Sequence, residues 1–126
     1  MIAIVNTAID AQEWLSRLDQ QGAGSVVVHL GVVKPDPEGR KSAGITFERG
    51  GDLEAELKEI ENYLREHLRI VDVIIVRRLG KLSIGDYILF GAVSANDRVN
   101  AFAACQELVE QCKKLKTLKK QEHYRD

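Results

Sequence analysis

Five lysines lie within the eight residues KKLKTLKK, positions 113–120 of a 126-residue sequence. Lys113 falls on the apolar stripe of a predicted helix, so we expect its side chain to be partly desolvated. If the segment after the helix is extended, Lys120 folds back toward the helix end that carries Lys113. Two converging ammonium groups attract an anion and stabilise negative charge that develops in a reaction. The plainer alternative is a lysine whose stem runs along the edge of the core with its charge in water.

Other basic residues extend this cationic character. Lys34 begins a loop that contains both prolines of the sequence, and Arg77 and Arg78 end a predicted strand. Arg98 opens the last predicted helix, where free backbone N–H groups already favour an anion. Taken singly, each of these residues is more commonly a solvated surface charge. Together they predict a pocket for the phosphate of a small ligand, since a nucleic-acid backbone needs a long basic stripe.

The composition limits the class of protein. A chain of 126 residues suggests one domain over 1–126, and a net charge of −1 argues against a general nucleic-acid-binding protein. No apolar run is long enough to span a membrane, and the first residues lack the basic region of a signal peptide, so we expect a cytoplasmic protein. The histidines lack ligand spacing, so we expect no metal or other cofactor. Cys105 and Cys112 are expected to be reduced core residues.

Hydrophobic spacing predicts the elements that must position these side chains. Predicted helices cover Ala8–Gln21, Asp52–Leu68 and Arg98–Leu115, with Asn6 or Thr7 capping the first and Asn96 or Asp97 the last. Predicted strands and extended segments cover Ser25–Val33, Ala43–Glu48, Ile70–Val76, Tyr87–Ala95 and Thr117–Tyr124, with a loop at 34–42 and a turn at 77–86. The order α-β-β-α-β-β-α-β favours an α+β fold, with a mixed or antiparallel sheet and flanking helices, over a doubly wound parallel sheet.

Two of these elements carry specific expectations. The nearly continuous apolar run Ile70–Val76 is typical of a central strand that is covered on both faces. The last helix is expected to bury a stripe made of Phe102, Cys105, Val109 and Cys112, and Lys113 continues that stripe.

Several short motifs follow one another from Gly22 to Glu122. They are Gly22-Ala23, a strand ending in Gly31-Val32-Val33-Lys34, the segment Arg77–Asp86 (RRLGKLSIGD), Ser94–Arg98 followed by Ala101-Phe102, and Lys113 followed by Lys119-Lys120-Gln121-Glu122. In this order and spacing they resemble the large, catalytic subunit of molybdopterin synthase. Arginine stands at the position of Lys34 in that family, and histidine stands at the positions of Arg77 and Asp97.

The resemblance implies an α/β hammerhead fold, dimerised through the large subunits. It implies a partner, a small ubiquitin-like sulfur carrier whose Gly-Gly tail ends in a thiocarboxylate, in a heterotetramer. The substrate would be cyclic pyranopterin monophosphate and the product molybdopterin, in the pathway of molybdenum cofactor biosynthesis. The catalytic lysines of the family fall on Lys113 and Lys120. The resemblance places substrate binding on Lys34, Arg78, Asp97 and Arg98.

Two hypotheses of other classes remain beside this sulfurtransferase. A diverged, non-catalytic paralogue would keep the dimer and bind the carrier as an interaction subunit, and Asp97 together with the short carboxyl end motivates it. A small nucleic-acid-binding protein would use the lysine cluster and would lose affinity steeply with salt. The net charge of −1 and the few aromatic residues weigh against the nucleic-acid hypothesis.

Overall fold

The structure is a computed structural model that describes residues 1–35 and 42–124. Its elements, in chain order, are β1 (Ile2–Val5), α1 (Ala11–Leu15), β2 (Ser25–Val32), β3 (Ser42–Arg49), α2 (Leu53–His67), β4 (Asp72–Arg78), β5 (Gly80–Leu82), β6 (Tyr87–Ala95), α3 (Arg98–Cys112) and β7 (Leu118–Tyr124). Most of the predicted loop at 34–42 lies outside the described residues. No helix in the described ranges is long and apolar enough to cross a membrane.

The strands form two sheets. The first has the order β1-β4-β6-β2, in which β1 runs parallel to β4 while β4 and β2 run antiparallel to β6. The second has the order β5-β3-β7 and is antiparallel throughout. Two sheets, mostly antiparallel, with helices packed on them define an α+β fold, as the sequence predicted.

The central strand β4 is covered on both faces. Its residues Val73 to Val76 are fully buried. Because side chains alternate along a strand, Val73 and Ile75 pack with α2 and α3, whereas Ile74 and Val76 pack with residues around α1. The prediction of a doubly covered strand is therefore confirmed, and this alternation places Arg77 on the same face as Ile75.

Each of the two long helices begins after a capping aspartate, and only Asp97 was among the predicted caps. Asp52 accepts a hydrogen bond from the Ala55 amide at the start of α2, and Asp97 accepts one from the Asn100 amide at the start of α3. The apolar residues of α2 recur at helical spacing and are buried as predicted: Leu53, Leu57, Ile60 and Leu64. Cys105 and Cys112 of α3 are buried free thiols, also as predicted.

The amino-terminal region differs from the prediction. The helix predicted at Ala8–Gln21 is confined to Ala11–Leu15 and is capped by Asp10, because the residues after it form turns instead of continuing the helix. Strand β1 was not predicted, since four residues are too few to show a period and its hydrogen bonds come from distant β4. Strand β5 lies inside the segment predicted as a turn, where it pairs with β3.

The buried stripe of α3 is rotated from its predicted position. Phe102 is 63% exposed, so the prediction that it belongs to the stripe is wrong. The helix instead turns its small residues Ala101 and Ala104 inward, beside Leu108. This face permits a close approach to β6, where a Cβ added at Gly91 would lie 2.7 Å from Leu108 Cδ2.

Candidate functional site

The end of α3 and the start of β7 bring the two predicted catalytic lysines together. Helix α3 ends at Cys112, and the amide of Lys113 donates a hydrogen bond to the Val109 carbonyl in the last turn. The chain then reverses and enters β7, which pairs with β3 so that Lys120 lies opposite Phe47. Lys113 and Lys120 consequently line the same cavity, as the sequence predicted.

This first cavity has a volume of about 440 Å³ and a largely apolar wall. Its basic groups are Lys113, Lys120 and Arg77. The rest of its lining comes from β2, β3, β6, the end of α3, the connection that follows and the start of β7: His29, Gly31, Val32, Phe47, Ile88, Leu89, Val109, Cys112, Leu115 and Leu118. Ammonium groups beside an apolar wall act on a bound anion more strongly than they would in bulk water.

A second cavity of about 230 Å³ adjoins the first. The two share Val32, Phe47, Ile88 and Lys120, and the second is also lined by Lys34. Together the cavities form a groove along β2 and β3, with Lys120 common to both. A groove of this form suits an extended peptide tail meeting a small anionic molecule.

The two lysines are exposed at the opening of this groove. Lys113 is exposed, so the prediction of a partly desolvated side chain is wrong: the helix ends at Cys112, three residues before its predicted end at Leu115. The side chain of Lys120 is 63% exposed, and its Nζ lies 3.8 Å from Glu122 Oε1. Both charges can therefore meet a ligand that enters from solvent.

Glu56 of α2 holds the chain between the two lysines. Its carboxylate accepts hydrogen bonds from the amides of Lys116 and Thr117, at 2.9 Å and 3.0 Å, and from the Thr117 hydroxyl at 2.6 Å. Burial alone would raise the pKa of Glu56, but these hydrogen bonds outweigh burial and lower it. A side chain on α2 thus fixes where β7 begins.

The sequence grouped Arg77 with the basic residues of a predicted phosphate pocket, but the family resemblance gave it no catalytic or substrate-binding role. Only 7% of its surface is exposed, and its guanidinium carbon lies 4.4 Å from the centre of the Phe47 ring. Burial lowers the pKa of Arg77 to about 10, so the group remains charged at neutral pH. The sequence did contain a signal for this burial. Every second side chain of a strand lies on the same face, and Arg77 comes two residues after Ile75 on a strand predicted to be covered on both faces.

Three residues predicted to bind substrate lie away from the cavity within one chain. Arg78 lies 3.5 Å from Asp86, with which it forms an ion pair. Asp97 caps α3, and Arg98 is exposed at the first position of that helix. Because α3 has 15 residues, the helix rise separates Arg98 from Lys113 by about 22 Å.

Metal ligands are not clustered in the described part of the chain. Residues 1–35 and 42–124 contain no group of three or more His, Cys, Asp and Glu side chains that could hold a metal ion. The Cys112 thiol in the cavity wall has its pKa raised to about 12 by burial, so it is neutral near pH 7. The chemistry that these described residues offer is binding and stabilisation of anions by fixed cations.

The fold and the site together define a class: an α+β protein that presents a pair of lysines at an apolar groove between the end of a helix and an edge strand. Within that class, the chain belongs to the MoaE protein family, whose model matches residues 4–115. This confirms the family resemblance that the motifs indicated.

Individual relatives of known name are molybdopterin synthase proteins. The chain is 31% identical to a molybdopterin synthase catalytic subunit of Pyrococcus abyssi over 104 residues, which cover 82% of this chain and 70% of that protein. The crystal structure of molybdopterin synthase from Staphylococcus aureus matches with a TM-score of 0.90 at 27% identity, over 98% of this chain and 90% of that one.

A more distant structure confirms the fold alone. It is a complex of subunits 1 and 2 of a molybdopterin-converting factor from Helicobacter pylori, and one of its chains matches at 20% identity with a TM-score of 0.74. The match covers 98% of this chain and 88% of that one.

Proposed function

We propose that this chain is the catalytic subunit of a molybdopterin synthase. It transfers sulfur from the carboxyl-terminal thiocarboxylate of a small ubiquitin-like carrier to cyclic pyranopterin monophosphate, and the product is molybdopterin. The observation that carries the proposal is the convergence of Lys113 and Lys120 on one cavity, in a chain whose relatives are named for this activity. We place the reaction in the cytoplasm, as the sequence predicts.

The chemistry explains why cations are needed. The thiocarboxylate sulfur attacks a carbon of the pterin, and the bond from that carbon to an oxygen of the cyclic phosphate breaks, so that the phosphate stays on the substrate as a monoester and a thioester joins carrier and substrate. Water then adds to the acyl carbon, the bond from that carbon to sulfur breaks, and the carrier leaves as a carboxylate while sulfur stays on the pterin. A second carrier repeats the transfer at the neighbouring carbon, from which oxygen leaves as water, so that two sulfurs complete the dithiolene. Negative charge develops on the acyl oxygen during water addition, and ammonium groups such as Lys113 and Lys120 can stabilise it and exchange protons with it.

The second cavity is assigned to the phosphate of the substrate. Lys34 lines this cavity, and Lys120 stands between it and the first. An ammonium group contacts phosphate as a point charge, without the bidentate fork of the arginine found at this position in the family. In this arrangement the carrier tail occupies the groove beside Lys113, and the pterin phosphate lies toward Lys34.

The predicted roles of Asp97 and Arg98 require a second chain. Within one chain α3 keeps Arg98 about 22 Å from Lys113, too far for both to contact one small substrate. Arg78 forms an ion pair with Asp86, so we assign it a structural role in the turn between β5 and β6 and no direct contact with substrate. We therefore assign substrate contacts by Asp97 and Arg98 to a homodimer, in which each copy presents the start of its α3 to the other.

The surface supports such a dimer. Strand β2 is an edge of the four-stranded sheet, and edge strands carry backbone groups free to pair with another chain. Large apolar side chains are exposed on β2 and near the start of α3: Val26, Val28, Val99 and Phe102. Exposed apolar residues beside an open edge are typical of a protein–protein interface. Two catalytic chains with one carrier on each would form the predicted heterotetramer.

Reconstitution tests the proposed activity. The purified protein is mixed with thiocarboxylated carrier and cyclic pyranopterin monophosphate, and molybdopterin is measured as its fluorescent oxidation product. Product that depends on the protein and on the thiocarboxylate supports the proposal, with carrier ending in a plain carboxylate as the control. Tight carrier binding without product would instead favour the non-catalytic interaction subunit.

A further inference from the structure

Arg77, near the end of β4, is a buried cation that sulfur transfer as described above does not use. It is 7% exposed, and its guanidinium group lies against the Phe47 ring in the wall of the first cavity. Its Nε is buried without a hydrogen-bond partner among the described residues. A guanidinium group in such a place retains its charge while having lost most of its water.

The counter-charge for Arg77 is missing from the part of the chain that the structure describes. Two other arginines with partly buried side chains are paired there: Arg65 Nη2 lies 2.9 Å from Asp72 Oδ1, and Arg78 Nη1 lies 3.5 Å from Asp86 Oδ2. No carboxylate of residues 1–35 or 42–124 forms an ion pair with Arg77. The neighbouring Cys112 thiol is protonated, so it offers no compensating charge. Because an uncompensated buried cation costs folding free energy, a bound anion is the natural partner.

We propose that Arg77 binds an oxygen anion of the reactants at the inner wall of the first cavity. This assignment rests on the proposed function and adds a third cation to Lys113 and Lys120 around the same space. The guanidinium group offers parallel N–H donors that fit a carboxylate or a phosphate, and contact with Phe47 holds it in the wall. The carboxylate or thiocarboxylate that ends the carrier tail has this chemistry and is the anion assigned above to the groove beside Lys113. The pterin phosphate, assigned above to the second cavity near Lys34, has the same chemistry, and the test separates the two.

Substitution of Arg77 separates these sources. Arg77→Met keeps an unbranched stem against Phe47 and removes the charge, and Arg77→Lys keeps the charge without the fork. Arg17→Met is the matched control, since Arg17 also lies 4.4 Å from an aromatic ring, that of Trp14, but forms an ion pair with Glu13 on the α1 side of the four-stranded sheet. One arm measures binding of carrier that ends in a carboxylate by calorimetry, and the other measures KM for the pterin in the reconstituted reaction.

We expect Arg77→Met to weaken one of these interactions by about tenfold or more, because a hydrogen-bonded ion pair is lost. Weaker carrier binding assigns Arg77 to the terminal carboxylate, and a raised KM for the pterin assigns it to the phosphate. Arg77→Lys should lie between wild type and Arg77→Met. The free Arg77→Met protein should unfold at the same temperature as wild type or higher, since methionine has no charge to desolvate.

Unchanged affinities would overturn this assignment. If carrier affinity and KM of Arg77→Met both stay within about twofold of wild type, Arg77 does not bind the anion, whatever happens to its unfolding temperature. Product formation by wild type would then leave the proposed function intact while the assignment of Arg77 fails. Should Arg77→Met not fold, Arg77→Gln, which also removes the charge, decides by the same criterion. If the wild-type protein makes no product, the calorimetric Kd of the pterin replaces its KM, so both arms remain measurable.

Discussion

At the scale of single residues, the described part of the chain contains two kinds of buried charge. Glu61 of α2 is 3% exposed and is fully paired, since it accepts hydrogen bonds from the amino terminus at 2.6 Å and from Lys58 and Arg65 at 2.9 Å. Arg77 is equally buried and has no such partners. A paired buried charge serves the fold, whereas an unpaired one in a cavity wall suits a ligand.

The paired charge predicts a pH dependence of stability. Burial by itself would raise the pKa of Glu61, but its three cationic partners lower it from 4.5 to about 2. A lowered pKa in the folded state means that the stabilisation is complete above about pH 4.5 and is lost as the pH falls toward 2. Glu61→Gln should therefore cost about 1–3 kcal/mol at pH 7 and progressively less below pH 4.5.

Urea unfolding of wild type and Glu61→Gln from pH 7 down to pH 2.5 measures this difference. Glu66→Gln is the control, because Glu66 is exposed on the same helix. A difference in the free energy of unfolding that stays constant over this range would contradict the ion-pair explanation.

At the scale of elements, the site depends on how the segment from Lys113 to Lys120 is held. Three hydrogen-bond donors of Lys116 and Thr117 converge on the carboxylate of Glu56. Pairing of β7 with β3 then sets the direction of Lys120. The relative position of the two lysines thus depends on α2, a helix that contributes no residue to either cavity described above.

We predict that Glu56→Ala lowers product formation by about 10- to 100-fold, because displacement of β7 by even about 1 Å misplaces Lys120. Stability should fall by about 1 kcal/mol, since the partly buried donors of Thr117 lose their acceptor. Rates under saturating substrate and the unfolding temperature measure the two effects. Glu59→Ala, which changes an exposed glutamate three residues further along the same helix, should change neither. A fully active Glu56→Ala protein would show that this connection does not position the site.

How far the sequence predicts these elements depends on where their stabilising contacts come from. Helix α2 was predicted almost to the residue, because its apolar spacing is a local signal. Strands β1 and β5 were missed because they are short and owe their existence to pairing with distant strands. Phe102 was wrongly predicted to be buried because the helical spacing of α3 does not show which face packs on β6. Gly91 of β6 lacks a side chain, which allows the face of α3 that carries Leu108 and the alanines to pack closely there.

In the candidate site, too, the features with local sequence signals were predicted and those that depend on distant contacts were not. Lys113 and Lys120 were placed together from helix period, strand period and motif spacing, and both line one cavity. The exposure of Lys113 depends on the helix ending at Cys112, which spacing alone did not reveal. Arg77 and Arg78 were predicted together as a basic pair, but neighbouring side chains of β4 point to opposite faces. Arg77 therefore lies against Phe47 in the cavity wall, whereas Arg78 forms an ion pair with Asp86.

At the scale of the whole molecule, the exposed apolar side chains beside β2 and α3 predict self-association. Phe102→Glu should shift the protein from two chains to one, because a carboxylate cannot be buried in an apolar interface without a partner. Light scattering coupled to size-exclusion chromatography measures the mass. Ile84→Glu, which changes another exposed apolar residue on the turn after β5, is the control. Two chains in the Phe102→Glu protein would place the dimer interface elsewhere.

The central claim is that Lys113 and Lys120 carry out sulfur transfer at the first cavity. Single-turnover reconstitution of Lys113→Ala and Lys120→Ala tests it most directly, with carrier binding measured in parallel and Lys114→Ala as the neighbouring exposed control. We predict that each of the first two substitutions slows molybdopterin formation by about 100-fold or more, while Lys114→Ala stays near wild type. Wild-type rates in a protein lacking both Lys113 and Lys120 would contradict the account.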